Sequence, residues 1–385
     1  MTDAADRCTG PDAGALPRRL GLVLPGGGAR GAYQVGVLKA LVELVPGDGP
    51  LPFRIVAGTS AGAIIAAIVA SHAMHFREGI VTLERFWRNF HIEQVYRADT
   101  GSMLRSGMHW LLALVSGGWL ARAPHAVLDN SPLRELLERH VNFARVSQAL
   151  DHGYLDALAI SASPYHRAQS IAFYAASGEH PAWPEGVPAE LALDHLMASS
   201  AVPFLFPPVL MGGEYYGDGA MRQSAPLSAA INLGAERLLI IGVRPALPAT
   251  PTPAAGGVEP TFGQIFGFML DTLFMDGVHA DLERLRRENQ LIAAAGGEVG
   301  GMRQIEALQV SPREDFGEIA GRHAADVPRA LRVLLRTMGA ANPGGQMLLS
   351  YLLFEASYTR ELIALGYADA MQRRDELQAL LLSEA

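Results

Sequence analysis

Two short apolar runs, each followed by a glycine-rich turn and a helical pattern, constrain the fold of this chain more than any other feature. The first run, Leu20–Leu24, precedes three glycines at 26–28. The second, Phe53–Ala57, leads into Gly-Thr-Ser-Ala-Gly at 58–62 and then into an alanine-rich segment. Apolar runs of this length are typical of buried parallel strands, which crossover helices connect. The chain therefore opens as β-α-β-α. This order predicts an α/β fold, a three-layer α/β/α sandwich with a mainly parallel central sheet.

Composition divides the chain into four regions. Residues 1–17 are polar and lack an apolar core, which predicts a disordered arm rather than a signal peptide. Residues 18–245 hold the strand and turn signals of the main domain. A stretch rich in Pro, Ala, Thr and Gly at 246–262 indicates a linker. Residues 263–385 then form a mostly helical extension, in which 305–310 alternates enough to return one strand to the main sheet.

Apolar stretches outside the first two units predict further helices. Ile265–Phe274 and Ala280–Ala295 have helical spacing, which predicts two helices at the start of the extension. Met108–Leu120 and Gln346–Leu365 are apolar enough to touch a bilayer surface transiently. Core packing or a dimer interface explains these two stretches equally well, so the sequence also leaves a homo-oligomer open.

Charge and cysteine content exclude several classes of protein. The chain has 39 acidic against 31 basic residues, a net charge of −8, which argues against a nucleic-acid partner. Its one cysteine, Cys8, cannot form an internal disulfide or a thiolate metal site. The histidines show no metal-ligand spacing. We therefore expect a cytoplasmic protein, peripheral to the membrane where it meets one, that uses neither a metal nor another cofactor.

The pentapeptide at 58–62 matches Gly-x-Ser-x-Gly, the nucleophile elbow. A sharp strand-to-helix turn would hold Ser60 in a strained conformation with its hydroxyl at the helix start. Gly58 and Gly62 leave room for that turn, where side chains would collide. The helix N-terminus also favours negative charge nearby. Ser60 is thus the candidate nucleophile, and the alternative is a tight glycine turn with a capping serine.

The loop from Gly26 to Gly31 reads Gly-Gly-Gly-Ala-Arg-Gly and precedes a helix, an arrangement that suits a phosphate or an oxyanion. The loop lacks the Gly-Lys-Ser/Thr ending of a P-loop. Gly26, Gly28 and Gly31 do fit the spacing of a dinucleotide fingerprint. However, the nearby acidic residues, Glu43 and Asp48, do not stand at the end of a second strand. An oxyanion hole is therefore the favoured interpretation.

A third motif, Asp-Gly-Ala at Asp218–Ala220, would be an ordinary turn in isolation. In order along the chain, the three motifs and the segment Ala198–Pro208 resemble the patatin-like phospholipases of bacterial type, over about residues 18–245. The resemblance implies a Ser–Asp dyad without a histidine, with Ser60 as nucleophile and Asp218 as its base.

The same resemblance implies further roles around the dyad. The N–H groups near Gly27, Gly28 and Ala29 would form the oxyanion hole, and Gly219 supports the Asp218 turn. Arg30 would either position the glycine loop or meet a lipid phosphate.

The activity that the resemblance implies is that of a phospholipase A or lysophospholipase, which cleaves a lipid substrate through an acyl-enzyme. A short-chain esterase or thioesterase, and a non-catalytic protein that binds lipid or nucleotide, remain as alternatives. A rival triad adds His279, since Ser60, Asp218 and His279 follow the usual order of α/β-hydrolases. The sequence does not specify the lipid head group, chain length or ester position.

Overall fold

The computed structural model describes residues 19–45, 47–97, 126–245, 259–298, 300–337 and 345–382. The predicted N-terminal arm at 1–17 and the apolar run Met108–Leu120 lie outside these residues, as does most of the predicted linker at 246–262.

One mixed sheet forms the centre of the described structure. Its strands are β1 (Leu20–Leu24), β2 (Ile55–Thr59), β3 (Ala157–Pro164), β4 (Ile171–Ala176), β5 (Gly186–Pro188), β6 (Val209–Met211), β7 (Glu214–Asp218), β8 (Arg237–Ile241) and β9 (Glu306–Val310). The main order is β5-β4-β3-β2-β1-β8-β9, and β7 pairs with both β3 and β6.

The middle of this sheet is parallel, as the sequence predicts. Strand β1 pairs in parallel with β2 and β8, and β2 with β3. Strands β4 and β7 run antiparallel to β3. Every residue of β1, β2, β3 and β8 is buried, which explains their mostly apolar sequences. Separate apolar clusters cover the two faces of the sheet, and the three-layer α/β/α prediction is confirmed.

Helices flank the sheet and dominate the C-terminal part of the chain. They are α1 (Gly31–Leu44), α2 (Ala61–Ser71), α3 (Phe76–Arg88), α4 (Ser131–His140), α5 (Phe143–Asp151), α6 (Leu193–Ser199), α7 (Ser228–Asn232), α8 (Phe262–Ala294), α9 (Phe316–Arg322), α10 (Arg329–Thr337), α11 (Gln346–Leu352), α12 (Ala356–Gln372) and α13 (Arg374–Leu382). Helix α2 is buried on all sides, which accounts for its uniformly apolar sequence. Within the described ranges, no helix is both long and apolar enough to cross a membrane.

The two helices predicted at the start of the extension are a single helix, α8. A capping box of Thr261 and Gln264 begins it, so Phe262 is helical although the sequence assigns it to the linker. The residue between the two patterns that could break the helix, Gly277, instead lets α8 approach the backbone of Gln223 closely. The helix continues through Gly277 because the close contact with Gln223 needs a residue without a side chain at this position.

The C-terminal helices share the core of the sheet. Helix α12 lies along α1, and Gly366 packs against the carbonyl of Tyr33 where a side chain would collide. Strand β9 lies within the predicted 305–310 segment, without its first residue, and pairs in parallel with β8. The C-terminal region is therefore part of the same packed body as the sheet.

The stretch Gln346–Leu365 lies in this core, so the expectation that it touches a bilayer is wrong. Its large apolar side chains are buried in the main cluster, among them Leu348, Leu349, Tyr351, Leu352, Leu353, Phe354, Tyr358, Leu362, Ile363 and Leu365. Apolarity alone did not distinguish a core helix from a membrane-contacting one.

Candidate active site

The register of strand β3 brings Ser60 and Asp218 together. Thr59, the last residue of β2, pairs with Ser161, and the next residue of β3, Ala162, pairs with Asp218. Ser60 follows Thr59 directly. The two candidate catalytic residues therefore meet beside one short segment of β3, although 158 positions separate them in the chain.

Ser60 forms a strained elbow between β2 and α2. It is not a glycine, yet its φ is 55°, in the left-handed region. A side chain at Gly62 would collide with the carbonyl of Leu24, and one at Gly58 with the backbone of Gly62. These close approaches explain both glycines of the motif. Strain of this kind costs about 1–3 kcal/mol and persists where surrounding packing imposes it.

Asp218 ends strand β7 with its carboxyl buried. Oδ1 accepts a hydrogen bond from the Ala220 amide at 2.9 Å. Oδ2 is buried and accepts no hydrogen bond of ordinary geometry from the described residues. The glycine at 219 is required because a side chain there would collide with the Ser161 carbonyl.

Burial raises the pKa of Asp218 to about 7, and interactions with the Ser60 hydroxyl and the Ala220 amide lower it in part. The Ser60 hydroxyl thus lies close enough to the carboxyl to lower its pKa, although Oδ2 accepts no hydrogen bond of ordinary geometry. Catalytic pairs without substrate often show such geometry. A carboxylate with this pKa is a far stronger base than one with the usual value of about 3.9.

The glycine loop lies at the same sheet edge as Ser60, because β1 and β2 are parallel neighbours with Leu24 paired to Gly58. Gly26 packs so closely that a Cβ there would lie 2.9 Å from the Cβ of Ser60. Gly28 has a φ of 56° and begins a short 3-10 helix that ends at Arg30 and leads directly into α1. Gly31 is the first residue of α1 and packs against Trp87.

Gly27 and Ala29 flank Gly28, the residue of the loop that lines the cavity of Ser60. A side chain on Gly27 would lie 2.7 Å from a methyl group of Val243, and Ala29 is fully buried. Gly28 itself lines the cavity that also contains Ser60. The three predicted oxyanion positions therefore form one tightly packed turn next to Ser60.

Arg30 points away from the cavity into the C-terminal helices, so the idea that it meets a lipid phosphate is wrong. Its side chain is only 2% exposed. It donates to Asp271 Oδ1 at 3.0 Å and to the Tyr351 hydroxyl and Ser350 Oγ at 2.9 Å each. The guanidinium also stacks 3.8 Å from the centre of the Tyr351 ring. Arg30 therefore ties the glycine loop to α8 and α11.

Sequence reasoning missed two polar residues that hold the site. Ser199 Oγ accepts a hydrogen bond from the Ser60 amide at 2.8 Å. Gln223 accepts from Thr59 Oγ1 and donates to Ser161 Oγ, both at 2.9 Å. Ser199 lies in the segment Ala198–Pro208 that already stood out, whereas nothing local marks Gln223.

A narrow apolar cavity of about 50 Å³ opens from Ser60. Both halves of the chain line it: Gly28, Ser60, Ala61, Ile64, Phe86, Trp87, Phe90, Val95, Leu133, Ser200, Val202, Leu205, Phe206, Leu270, Phe274, Tyr351, Leu352 and Phe354. Such a lining suits a hydrocarbon group better than a charged one. The last five residues come from the C-terminal region, which the sequence left without a role.

His279 does not join the site, so the rival triad is wrong. It lies on α8 with an exposed side chain and pairs with Glu283 at 3.2 Å, one helical turn away. Within the described part of the chain, no group of three or more His, Cys, Asp or Glu side chains could hold a metal ion. Neither Glu43 nor Asp48 lines the cavity beside the glycine loop. They pair with Tyr367 and Arg77 instead.

The family model described as patatin-like phospholipase matches residues 22–231. Lysophospholipase NTE1 of Chaetomium globosum is 49% identical over 63 residues, which cover 15% of this chain and 4% of that protein. Lysophospholipase nte1 of Aspergillus oryzae is 52% identical over 56 residues, 14% of this chain and 3% of that protein. The chain thus spans only a few per cent of the length of these relatives.

Two solved structures have low similarity to the chain. VipD from Legionella pneumophila aligns with 94% of this chain and 67% of its own at 14% identity and a TM-score of 0.35. A chain of the heterodimeric ExoU–SpcU complex from Pseudomonas aeruginosa aligns with 93% of this chain and 76% of its own at 15% identity and a TM-score of 0.29.

Proposed function

The chain belongs to the patatin-like phospholipase family, and we propose that it is a serine acyl hydrolase that cleaves fatty-acyl ester bonds of phospholipids or lysophospholipids. The observation that carries the proposal is a strained Ser60 facing the buried carboxyl of Asp218 at an apolar cavity. The names of the fungal relatives favour a lysophospholipid as substrate.

The proposed reaction begins when Ser60 Oγ attacks the ester carbonyl carbon while Asp218 accepts the hydroxyl proton. The carbonyl oxygen becomes an oxyanion, and its collapse breaks the ester C–O bond. Asp218 returns the proton to the departing alcohol, which leaves an acyl-enzyme on Ser60. Water then attacks the acyl carbon and gives its proton to Asp218. The bond between Ser60 Oγ and the acyl carbon breaks, Asp218 returns the proton to Ser60 Oγ, and the fatty acid leaves.

We assign the oxyanion hole to the backbone N–H groups around Gly27, Gly28 and Ala29. Two observations support this assignment. The loop packs closely on Ser60, and the Ser60 amide, another nearby donor, already donates its hydrogen bond to Ser199. Preorganised donors of this kind contribute roughly 3–4 kcal/mol to lowering the barrier.

A short-chain esterase or thioesterase is the second candidate, and the small volume of the cavity at Ser60 favours it. A cavity of about 50 Å³ holds a short acyl group more readily than a long one. Ester chain length therefore distinguishes the two candidates.

The test of the function is hydrolysis of a panel of phospholipids and lysophospholipids, read by mass spectrometry, with Ser60→Ala as the blank. We expect release of fatty acid that is lost in the variant. Covalent labelling of Ser60 by a fluorophosphonate checks for an activated serine. A folded wild-type protein that neither labels nor releases fatty acid from any lipid or short ester would refute the hydrolase and favour a binding protein.

We also propose that the protein is cytoplasmic and meets membranes peripherally through the first half of α8. Four apolar residues of this segment are exposed: Phe262, Ile265, Phe268 and Met269. Exposed aromatic and aliphatic side chains on one helix favour contact with a lipid surface. This face takes the role that the sequence had given to Gln346–Leu365.

A further inference from the structure

A second apolar cavity lies beside the cavity of Ser60. Its volume is about 490 Å³. Eleven described residues line it, all of them apolar: Val127, Leu128, Phe204, Leu205, Phe262, Phe266, Met269, Leu331, Leu335, Leu348 and Leu352. Leu205 and Leu352 also line the cavity of Ser60. We call these two side chains the shared wall.

The two cavities differ in what they can hold. Sites for extended organic ligands typically measure about 300–1,000 Å³. The cavity at Ser60, at about 50 Å³, is well below that range, and the second cavity lies within it. When an ester carbon lies at Ser60, the cavity there therefore has room for only the first carbons of a long chain.

Strained backbone forms part of the lining of the second cavity, at Phe204. Phe204 has a φ of 65°, although it is not a glycine, and its side chain is 64% exposed. Its carbonyl accepts a hydrogen bond from the Val127 amide at 2.9 Å, and the Leu205 carbonyl accepts one from the Leu128 amide. These bonds hold the strained turn. Phe262, which is 62% exposed, also lines the cavity, and with Phe204 it marks the solvent side, or mouth, of the cavity.

We propose that the second cavity binds the long hydrocarbon chain of the substrate, and that the shared wall separates short-chain from long-chain esters. This inference rests on the proposed hydrolase. The occupant is a hydrocarbon because every described residue of the lining is apolar and because the cavity adjoins the site where the ester would react. The chain's substrates are then long-chain lipids, with short esters as partial substrates that use only the cavity at Ser60.

The experiment measures kcat/KM for a series of soluble monomeric esters with acyl chains of four, eight and twelve carbons. Each methylene buried in the second cavity is expected to raise kcat/KM by roughly fourfold at most. Leu352→Phe places a bulkier side chain in the shared wall, which narrows the space between the two cavities. Phe262→Glu places a charge at the mouth of the second cavity. We expect each variant to lower the ratio of the twelve-carbon to the four-carbon rate at least tenfold.

The four-carbon rate reports whether the Ser60 site is intact in Phe262→Glu, because Phe262 does not line the cavity of Ser60, and Leu291→Ser is the matched control. Leu291 is 70% exposed and lies on the same helix as Phe262, but it lines neither cavity. Its ratio should equal that of the wild type. If Leu352→Phe does not fold, Phe262→Glu still decides, because its side chain is mostly exposed. An unchanged ratio in Phe262→Glu overturns the chain site, whereas no hydrolysis of any ester by the wild type would instead refute the hydrolase.

Discussion

The Ser60 amide donates a hydrogen bond of 2.8 Å to the hydroxyl of Ser199. Two residues further along, the Ala201 carbonyl accepts a hydrogen bond of 2.9 Å from the Asp218 amide. One short segment at the end of α6 thus holds the backbone of both the candidate nucleophile and its candidate base. These two hydrogen bonds of the Ser60 and Asp218 amides therefore set the distance between the two side chains, which does not depend on a contact between the side chains themselves.

Replacing Ser199 by alanine is expected to impair both stability and turnover. The variant leaves the buried Ser60 amide without its acceptor, which costs about 1–3 kcal/mol of unfolding free energy. The elbow also loses its anchor, so kcat should fall by roughly ten- to a hundredfold, with a smaller change in KM. Denaturant unfolding and ester kinetics measure the two effects. Ser200→Ala controls the stability measurement, because Ser200 Oγ has no hydrogen-bond partner among the described residues.

The activity should have an acid limb set by Asp218. Only the ionised carboxylate can accept the Ser60 proton, and burial raises its pKa to about 7. We therefore expect kcat/KM for a soluble ester to rise with pH, to reach half of its plateau near pH 7, and to fall tenfold per pH unit well below that. The rate of fluorophosphonate labelling should follow the same limb. A plateau that extends down to pH 5 in a folded protein would contradict the raised pKa.

The fold should become more stable above neutral pH when Asp218 is replaced by asparagine. The folded protein binds the Asp218 proton more tightly than the unfolded chain, where the pKa is about 3.9. Stability is therefore lost as pH rises from about 4 to 7, by an amount on the order of 4 kcal/mol at most. Unfolding of Asp218→Asn at pH 8 should need more denaturant than unfolding of the wild type, and the gain should vanish near pH 4. Asp194→Asn, at an exposed carboxylate on α6, should show no such gain.

Local sequence predicted the elbow and the glycine loop because their requirements are local. Ser60 needs glycines two positions away on either side, and the strands before each turn are buried along their full length. These constraints stand in the chain within a few residues of the serine. The proximity of Ser60 and Asp218 could not be predicted from local sequence, because it depends on the register of β3 with its neighbours. Only the resemblance of the ordered motifs, and no spacing rule, pointed to that pairing.

The contribution of the C-terminal helices could not be predicted, because it depends on contacts between distant residues. Arg30 and Ser350 are 320 positions apart, and their hydrogen bond is buried. Nothing near Arg30 in the sequence distinguishes a buried guanidinium from one that meets solvent or phosphate. Likewise, the apolar pattern of Gln346–Leu365 fits a buried helix and a surface helix equally well. The structure decides both points by where these helices pack.

Membrane contact through α8 predicts that polar substitutions on its exposed face weaken binding to lipid vesicles. Ile265 and Phe268 are 47% and 71% exposed, so Ile265→Ser and Phe268→Ser should leave the fold intact. Each should lower the fraction of protein that sediments with vesicles by several-fold, since burying a large apolar side chain contributes about 1.5–3 kcal/mol. Leu291→Ser, at an equally exposed position near the other end of α8, should bind as the wild type does. Equal binding by all three variants would exclude this face as the membrane contact.

Replacing Asp271 by asparagine is expected to loosen the glycine loop from a distance. Asp271 is the carboxylate that pairs with the buried guanidinium of Arg30, and the other acceptors around Arg30, such as Ser350 and Tyr351, are neutral. Removing one partner of a buried ion pair typically costs about 3–5 kcal/mol, because the remaining charge stays in the interior. A guanidinium keeps its proton in proteins, so the arginine stays charged in the variant.

The loss should appear in catalysis as well as in stability, since the loop that Arg30 anchors carries the proposed oxyanion donors. We expect kcat to fall more than the KM for a soluble ester rises, because an oxyanion forms only during the reaction. The matched control is Arg244→Gln, which removes the second cation on Asp271, at 3.3 Å, from a side chain that is one-third exposed. Arg244→Gln should lower the free energy of unfolding by only about 1 kcal/mol, as is typical of partly exposed ion pairs. If Asp271→Asn were as stable and as active as Arg244→Gln, the buried pair would not be what holds the loop against the C-terminal helices.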